Sequence, residues 1–232
     1  MKIIRLDEVD STNEYAKRII QENNNNLILP VCIIANYQTK GKGRHGNVWL
    51  SKKGENLLCS YVSISEFDMI TYNKLIAVIT ANVIKHLYPA LRVSIKWPND
   101  ILVNSKKIAG ILIEKIQSYY IAGVGVNINQ RNFENLAFAT SIYKETGQKA
   151  NMLSIINEFG KITRIFEKVN KSFIHKLYDE MLWKYGEEVC VKGKNGKIKG
   201  KIIEVNYYGE LVLQTNQGIK KYSNNNFKIC MS

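Results

Sequence analysis

RVSIKWPNDILVNSKKIAGILIEKIQSYYIAGVGVNIN, residues 92–129, reads as four short strands in succession. RVSIK runs into KWPND (96–100), where Pro98 lacks an amide donor and Asn99-Asp100 is turn chemistry. ILVN, KKIAGILIEKI and YYIAGVGVNIN follow as further strands, rich in β-branched residues and divided by short polar pieces.

On the N-terminal side, Leu75, Ile76, Ile79, Val83, Ile84 and Leu87 recur at helical spacing and predict a helix between Asn73 and Tyr88. VCIIANYQT (31–39) reads as a buried strand entering the glycine-rich loop GKGRHGNVW (41–49), and NLLCSYVSI (56–64) as the strand leaving it. Ser11-Thr12-Asn13-Glu14 fits a capping box opening the amphipathic stretch Tyr15 to Gln21. On the C-terminal side, Met152 to Trp183 reads as helix in two pieces around Asn170. From Gly186 the texture changes to EVCVKG, GKIKGKIIEV, GELVLQT and IKKYS, separated by Gly and Asn turns, which suggests a small barrel. The pattern as a whole is α+β with a β appendage, divided at 1–184 and 185–232. The asparagine-rich patches at 23–26 and 224–226 read as loops.

No apolar run approaches the roughly 20 residues that span a bilayer, and the start MKIIRLDEVD carries acids where an export signal is apolar. A soluble, cytoplasmic protein without membrane association is expected. The four cysteines form no CxxC and the three histidines no HExxH, so neither a disulfide framework nor a structural zinc is indicated. A formal charge of +13 points to an anionic partner (nucleic acid, a phosphorylated ligand or an acidic protein) or to a lysine-rich solvated surface.

GKGRHG presents backbone amides and side-chain cations together, which suits phosphate or carboxylate oxygens; a merely exposed mobile loop is the alternative. The GxxxxGK[ST] phosphate loop is absent, and GVGVN (123–127) lacks the third glycine of a dinucleotide fingerprint. Trp49 could stack on a nucleobase or anchor the following strand. KWPND and KKIAG (106–110) place Lys96, Lys106, Lys107 and Asp100 around a proline-braced turn. Gly123, Gly125 and Asn127 allow either close approach of a ligand or a bulge.

The order STN, YQ into GKGRHGNVW, KWPND, KKIAG, GVGVN and a small β unit resembles the biotin protein ligases, over nearly the whole chain. That resemblance implies a mixed-sheet catalytic domain of the class II synthetase type with an SH3-like C-terminal β-barrel. It implies that biotin and ATP form biotinyl-AMP, and that biotin passes to a lysine of a biotin carboxyl carrier protein. Ser11, Thr12, Asn13 and Gln38 are implied at the biotin ring, and Lys42, Gly43 and Arg44 as loop contacts to biotin and the adenylate. Trp49 would cover adenine, with Asn127, Gly123 and Gly125 also on the nucleotide side. Lys107 would bridge the biotin carboxylate and the phosphate, and Lys96 would support it electrostatically. Asn99 and Asp100 fall beside the phosphate and a Mg2+ that arrives with ATP rather than in a protein cage, and Asp100 also neighbours the incoming lysine.

Lys42, His45 and Asn47 depart from the family's commonest residues, which implies weaker retention of the adenylate, and SNNNFKI replaces the usual Gly-Glu-containing finish. STN begins at residue 11, leaving no room for the N-terminal helix-turn-helix that makes many relatives repressors, so no operator binding is expected. Oligomeric state stays open between monomer and homodimer. The rivals are a lipoate ligase or octanoyltransferase of the same fold, and a nucleic-acid-binding module using the positive charge.

Overall fold

A computed structural model describes residues 1–23, 27–134, 136–166, 168–193 and 196–231. The stretch 92–129 forms four antiparallel strands: β4 (Val93–Lys96), β5 (Asp100–Val103), β6 (Lys106–Ile116) and β7 (Tyr119–Asn127). They join β1 (Lys2–Val9), β2 (Val31–Gln38) and β3 (Asn56–Ile64) in a seven-stranded sheet of order β1-β2-β3-β7-β6-β5-β4. The β1–β2 pair is parallel and the other pairs are antiparallel, so the sheet is mixed, as the class reading requires. Patterning does not predict β1. As an edge strand carrying Arg5, Asp7 and Glu8, it shows no buried alternation.

Helices cover both faces of the sheet. Helix α1 (Thr12–Glu22) lays Ala16, Ile19 and Ile20 against Val31, Ile33, Val62 and Ile121. The opposite face, with Cys59, Tyr61 and Val124, packs under α2 (Met69–Leu87) and α4 (Met152–Phe166), with α5 (Lys171–Glu180) beyond; a short α3 (Ile142–Thr146) precedes α4. α2 is buried almost all round, which fits a helix enclosed between a sheet and other helices. It starts a turn earlier than its apolar spacing suggests, because Asp68 caps it by accepting from Thr71 N at 2.9 Å. Among the described residues no helix is long and apolar enough to cross a membrane.

The capping box at α1 does not form. Ser11 occupies the N-cap with no side-chain cap bond, and Glu14 turns outward to Lys17 and Lys42. The helix's first amide is satisfied instead by Gln38, from 26 residues away.

From Glu188 a separate five-stranded antiparallel sheet follows, order β11-β10-β9-β8-β12, built from β8 (Glu188–Gly193), β9 (Gly196–Val205), β10 (Leu211–Thr215), β11 (Gly218–Tyr222) and β12 (Lys228–Ile229). It is the appendage predicted by the turn spacing. The two-residue β12 was too short to leave a pattern. Of the asparagine-rich patches, 224–226 is a turn; residues 24–26 lie outside the described residues. The small sheet is tied to the turn after β4 and to α5 by polar bonds: Trp97 Nε1 donates to the Gly209 carbonyl at 2.9 Å, and Val205 N donates to Asp179 Oδ1 at 3.0 Å.

A buried lysine completes this joint. Lys74, 1 % exposed, donates to His175 Nδ1 at 2.9 Å and to the Val205 carbonyl. The ring proton is therefore assigned to Nε2, 3.2 Å from Thr71 Oγ1. Burial, and then the Lys74 charge, pull His175 down from its ordinary 6.5 to about 4. Between those pH values the unfolded chain binds a proton that the folded chain refuses, so stability falls as pH drops from 6.5 towards 4. His175→Gln should flatten that limb of a denaturation midpoint against pH; an unchanged limb would assign it to other groups.

Candidate active site

Beyond the N-terminus of α1, the sheet face it covers continues uncovered. Here the apolar side chains of β6 and β7 give way to Gly110, Gly123 and Gly125, and the space they leave is the floor of a cavity of about 230 Å³. A Cβ at Gly123 would lie 2.6 Å from Asn13 Oδ1, and one at Gly125 2.5 Å from the Trp49 indole. β7 pairs with both neighbours without interruption from Tyr119 to Val126, so the glycines mark close approach and not a bulge.

One end of the cavity is a polar network. Thr12 N and Oγ1 both donate to Gln38 Oε1, at 2.7 and 3.0 Å. Ser60 Oγ donates to Asn13 Oδ1 at 2.5 Å, and Asn13 Nδ2 donates to Glu114 at 2.8 Å. Ser11, Thr12 and Asn13 are each less than 5 % exposed, yet all line the cavity with Gln38. Ser60 and Glu114 escape sequence reading, although a serine in the middle of NLLCSYVSI and the one acid within KKIAGILIEKI are the marks they leave.

The glycine-rich loop folds over the cavity as a small hairpin. Gly43 N donates to the Asn47 carbonyl at 2.7 Å, Trp49 N to the Gly41 carbonyl at 3.0 Å, and Lys42 bridges Val48. His45, at φ 53°, and Gly46, at φ 75°, make the left-handed turn at its tip. An open, mobile loop is what its glycines suggest; side-chain ties hold it down here. Lys42 pairs with Glu14 at 2.7 Å, and Arg44 Nη2 donates to Asn224 Oδ1 of the small sheet at 2.9 Å. Burial lowers the Arg44 pKa, opposed by Tyr178 and Asp100, and the guanidinium stays charged.

The opposite wall is the KWPND turn, held from several sides. The Pro98 carbonyl accepts from Asn73 Nδ2 at 3.0 Å and from the Tyr178 hydroxyl at 3.1 Å, and Asn99 exchanges two bonds with Ile111. Lys107 reaches this wall through a bulge. Ile101 pairs with Ala109 but Leu102 with Lys107, so Ile108 is an extra residue. Without it Lys107 would share the core face with Ala109 and Ile111. With it Ile108 takes the core position, and Lys107 turns into the cavity, 2.7 Å from Asp100 and 5.5 Å above the Trp49 ring. Lys96 stands across from Asp100, its pKa lowered by burial and, against the pull of Asp100, by Lys107 and Lys228.

Trp49 belongs to neither apolar cluster. Its indole rests on Gly110 and Gly125, and its Nε1 is buried without a hydrogen-bond partner, a donor left unsatisfied. The structure does not bring Asn127 to the cavity lining; its amide donates to the Thr140 carbonyl at 3.0 Å. Asn224, Phe227 and Lys228 of the small sheet line the cavity, and nothing in their sequence announced it.

This combination of mixed sheet, glycine floor, cationic hairpin and turn-mounted lysine has known relatives. Residues 6–130 match the model of the biotin/lipoate A/B protein ligase family. The chain is 30% identical over 238 residues to the bifunctional ligase/repressor BirA of Bacillus subtilis, covering 94% of this chain and 71% of that protein. A biotin--[acetyl-CoA-carboxylase] ligase of Mycobacterium tuberculosis is 32% identical over 48% of this chain and 44% of that one. The solved biotin protein ligase of Aquifex aeolicus in complex with biotin and ATP superposes with a TM-score of 0.83 at 28% identity, over 100% of this chain and 99% of that one. The chain belongs to the biotin/lipoate A/B protein ligase family. Within that family its likeness is to the biotin protein ligases.

Proposed function

We propose that the cavity activates biotin with ATP to biotinyl-AMP and passes it to a lysine of a biotin carboxyl carrier protein. The observation that carries this reading is the bulge that turns Lys107 into the cavity between Asp100 and Trp49. Two anions must meet for a carboxylate to attack the α-phosphate. Lys107, Arg44 and, more remotely, Lys96 offset their repulsion and the charge that grows at phosphorus as pyrophosphate leaves.

The ureido ring takes the polar end, where Ser11, Thr12, Asn13 and Gln38 offer both donors and acceptors. A dithiolane offers these groups no donor or acceptor to bond, which favours biotin over lipoate. Trp49 covers adenine beside Gly123 and Gly125, while Asn127 joins the nucleotide side only by giving up its bond to Thr140. One carboxylate and one amide, Asp100 and Asn99, suit a Mg2+ that keeps its waters and arrives with ATP; it would polarise the phosphates. In the second step the acceptor's amine attacks the acyl carbon, AMP leaves, and Asp100 accepts or orients the amine's proton. Lys42 and Gly43, with Arg44, close the loop over the anhydride and exclude water.

Residues 1–184 would form the catalytic unit and 185–232 a unit that closes its far wall. Need for ATP and a carboxylase carrier suits a cytoplasmic location. Incubation with ATP, Mg2+ and equal biotin and lipoate, followed by mass spectrometry, should reveal biotinyl-AMP; lipoyl-AMP in its place would favour the rival reading.

Asn224 holds the loop's arginine, so Asn224→Ala should release biotinyl-AMP about tenfold faster, as loss of one hydrogen bond to a charged group of about 1.5 kcal/mol implies. Stopped-flow dissociation tests this, and an unchanged rate would mean that the bond does not hold the loop.

A further inference from the structure

The fold brings the four scattered cysteines together as two pairs of free thiols. Cys32 and Cys59, on neighbouring strands of the large sheet, are buried beneath α2 and α4. Cys190, on β8, and Cys230, just after β12, are each half-buried. Ile229 pairs with Val191 and Lys228 with Lys192, so the same register sets Cys230 opposite Cys190. Cys230 N donates to the Cys190 carbonyl at 2.8 Å, and the two Sγ atoms are 3.1 Å apart. Directly opposed residues of antiparallel strands have Cα separations within the range a disulfide bridges.

The surroundings suit oxidation and give it a consequence. Cys190 and Cys230 line a surface dent together with Lys184, Glu188 and Lys199, and its lysines favour an anionic oxidant. β12 is a two-residue edge strand paired only with β8, yet the segment that includes it brings Asn224 and Lys228 to the cavity. Asn224 in turn holds Arg44 of the loop.

We propose that Cys190 and Cys230 form a reversible disulfide that fastens β12 to β8 and so steadies the cavity wall and the Arg44 loop. One protein thiolate attacks a sulfur of a low-molecular-weight disulfide such as glutathione disulfide, expelling one glutathione and leaving a mixed disulfide. The second protein thiol gives its proton to solvent, attacks the protein sulfur of that mixed disulfide and expels the second glutathione. Two protein thiols lose two electrons, and one glutathione disulfide becomes two glutathiones. The buried Cys32–Cys59 pair is out of reach and serves as an internal control.

The test uses the full chain, equilibrated with excess glutathione disulfide or with reduced glutathione, then alkylated, digested and analysed by mass spectrometry. Expected is a loss of two hydrogens per chain, located in a cross-linked peptide joining Cys190 to Cys230, reversed by reduced glutathione and absent in Cys230→Ser. Hydrogen exchange should slow several-fold in residues 223–230 and 41–49 on oxidation. Alkylation of both thiols after excess oxidant, a stable glutathione adduct, or a first cross-link at Cys32–Cys59 would overturn the pairing. A Cys190–Cys230 cross-link with unchanged exchange at 41–49 would overturn its coupling to the loop.

Discussion

Lys107→Ala should abolish biotin-dependent exchange of pyrophosphate into ATP, by about 10²–10³-fold or more, while leaving circular dichroism and the thermal midpoint nearly unchanged. The expectation rests on where the charge sits. Lys107 is the cation that the β6 bulge redirects to the cavity, and its ammonium is 2.7 Å from Asp100, in the wall where two anions must approach. Removing it leaves both the repulsion and the charge at phosphorus uncompensated. Stability should barely move, because the Lys107 side chain is 37% exposed and such pairs contribute about 0–1 kcal/mol. The bulge itself is kept by backbone bonds that need no side chain: Lys107 N to the Phe138 carbonyl and Thr140 N to the Lys107 carbonyl. Near-normal exchange in this variant would remove Lys107 from the mechanism.

Gly125→Val should lower kcat/KM for ATP by about 100-fold, as a misplaced ligand contact does. A Cβ there would lie 2.5 Å from the Trp49 indole, and the strand cannot retreat because β7 is paired on both sides. The ring must leave the cavity floor, and the cover proposed for adenine goes with it. Valine is a good strand residue, so the fold should keep its stability. An unchanged KM for ATP would show that the ring's position does not matter to nucleotide binding.

Much of this was legible in the sequence because it is written locally. The strands of 92–129 and the helix α2 declare themselves by period and by β-branched content, and the glycines and proline of the site motifs are visible. Gly123 and Gly125 could be flagged but not resolved between close approach and bulge, since the answer lies in pairing partners contributed by β3 and β6. The real bulge is at Ile108, where an isoleucine reads as any other strand residue. The capping box failed for a similar reason: Gln38, distant in sequence, accepts from the Thr12 amide, and Asp10 accepts from the Ser11 amide that the motif assigns to Glu14. Asn224 and Lys228 were invisible because their role depends on how the small sheet docks, through Lys74, Asp179 and Trp97. Long-range pairing and docking leave no period in a single chain.

The central claim is that a cationic hairpin and a bulge-mounted lysine form a cavity for biotin joined to AMP. Isothermal titration of the purified chain with biotin, and with a hydrolysis-resistant analogue of its adenylate, tests that most directly. The account predicts one saturable site for each, with the analogue bound more tightly and its extra affinity lost in Lys107→Ala. Absence of binding by both compounds would contradict it.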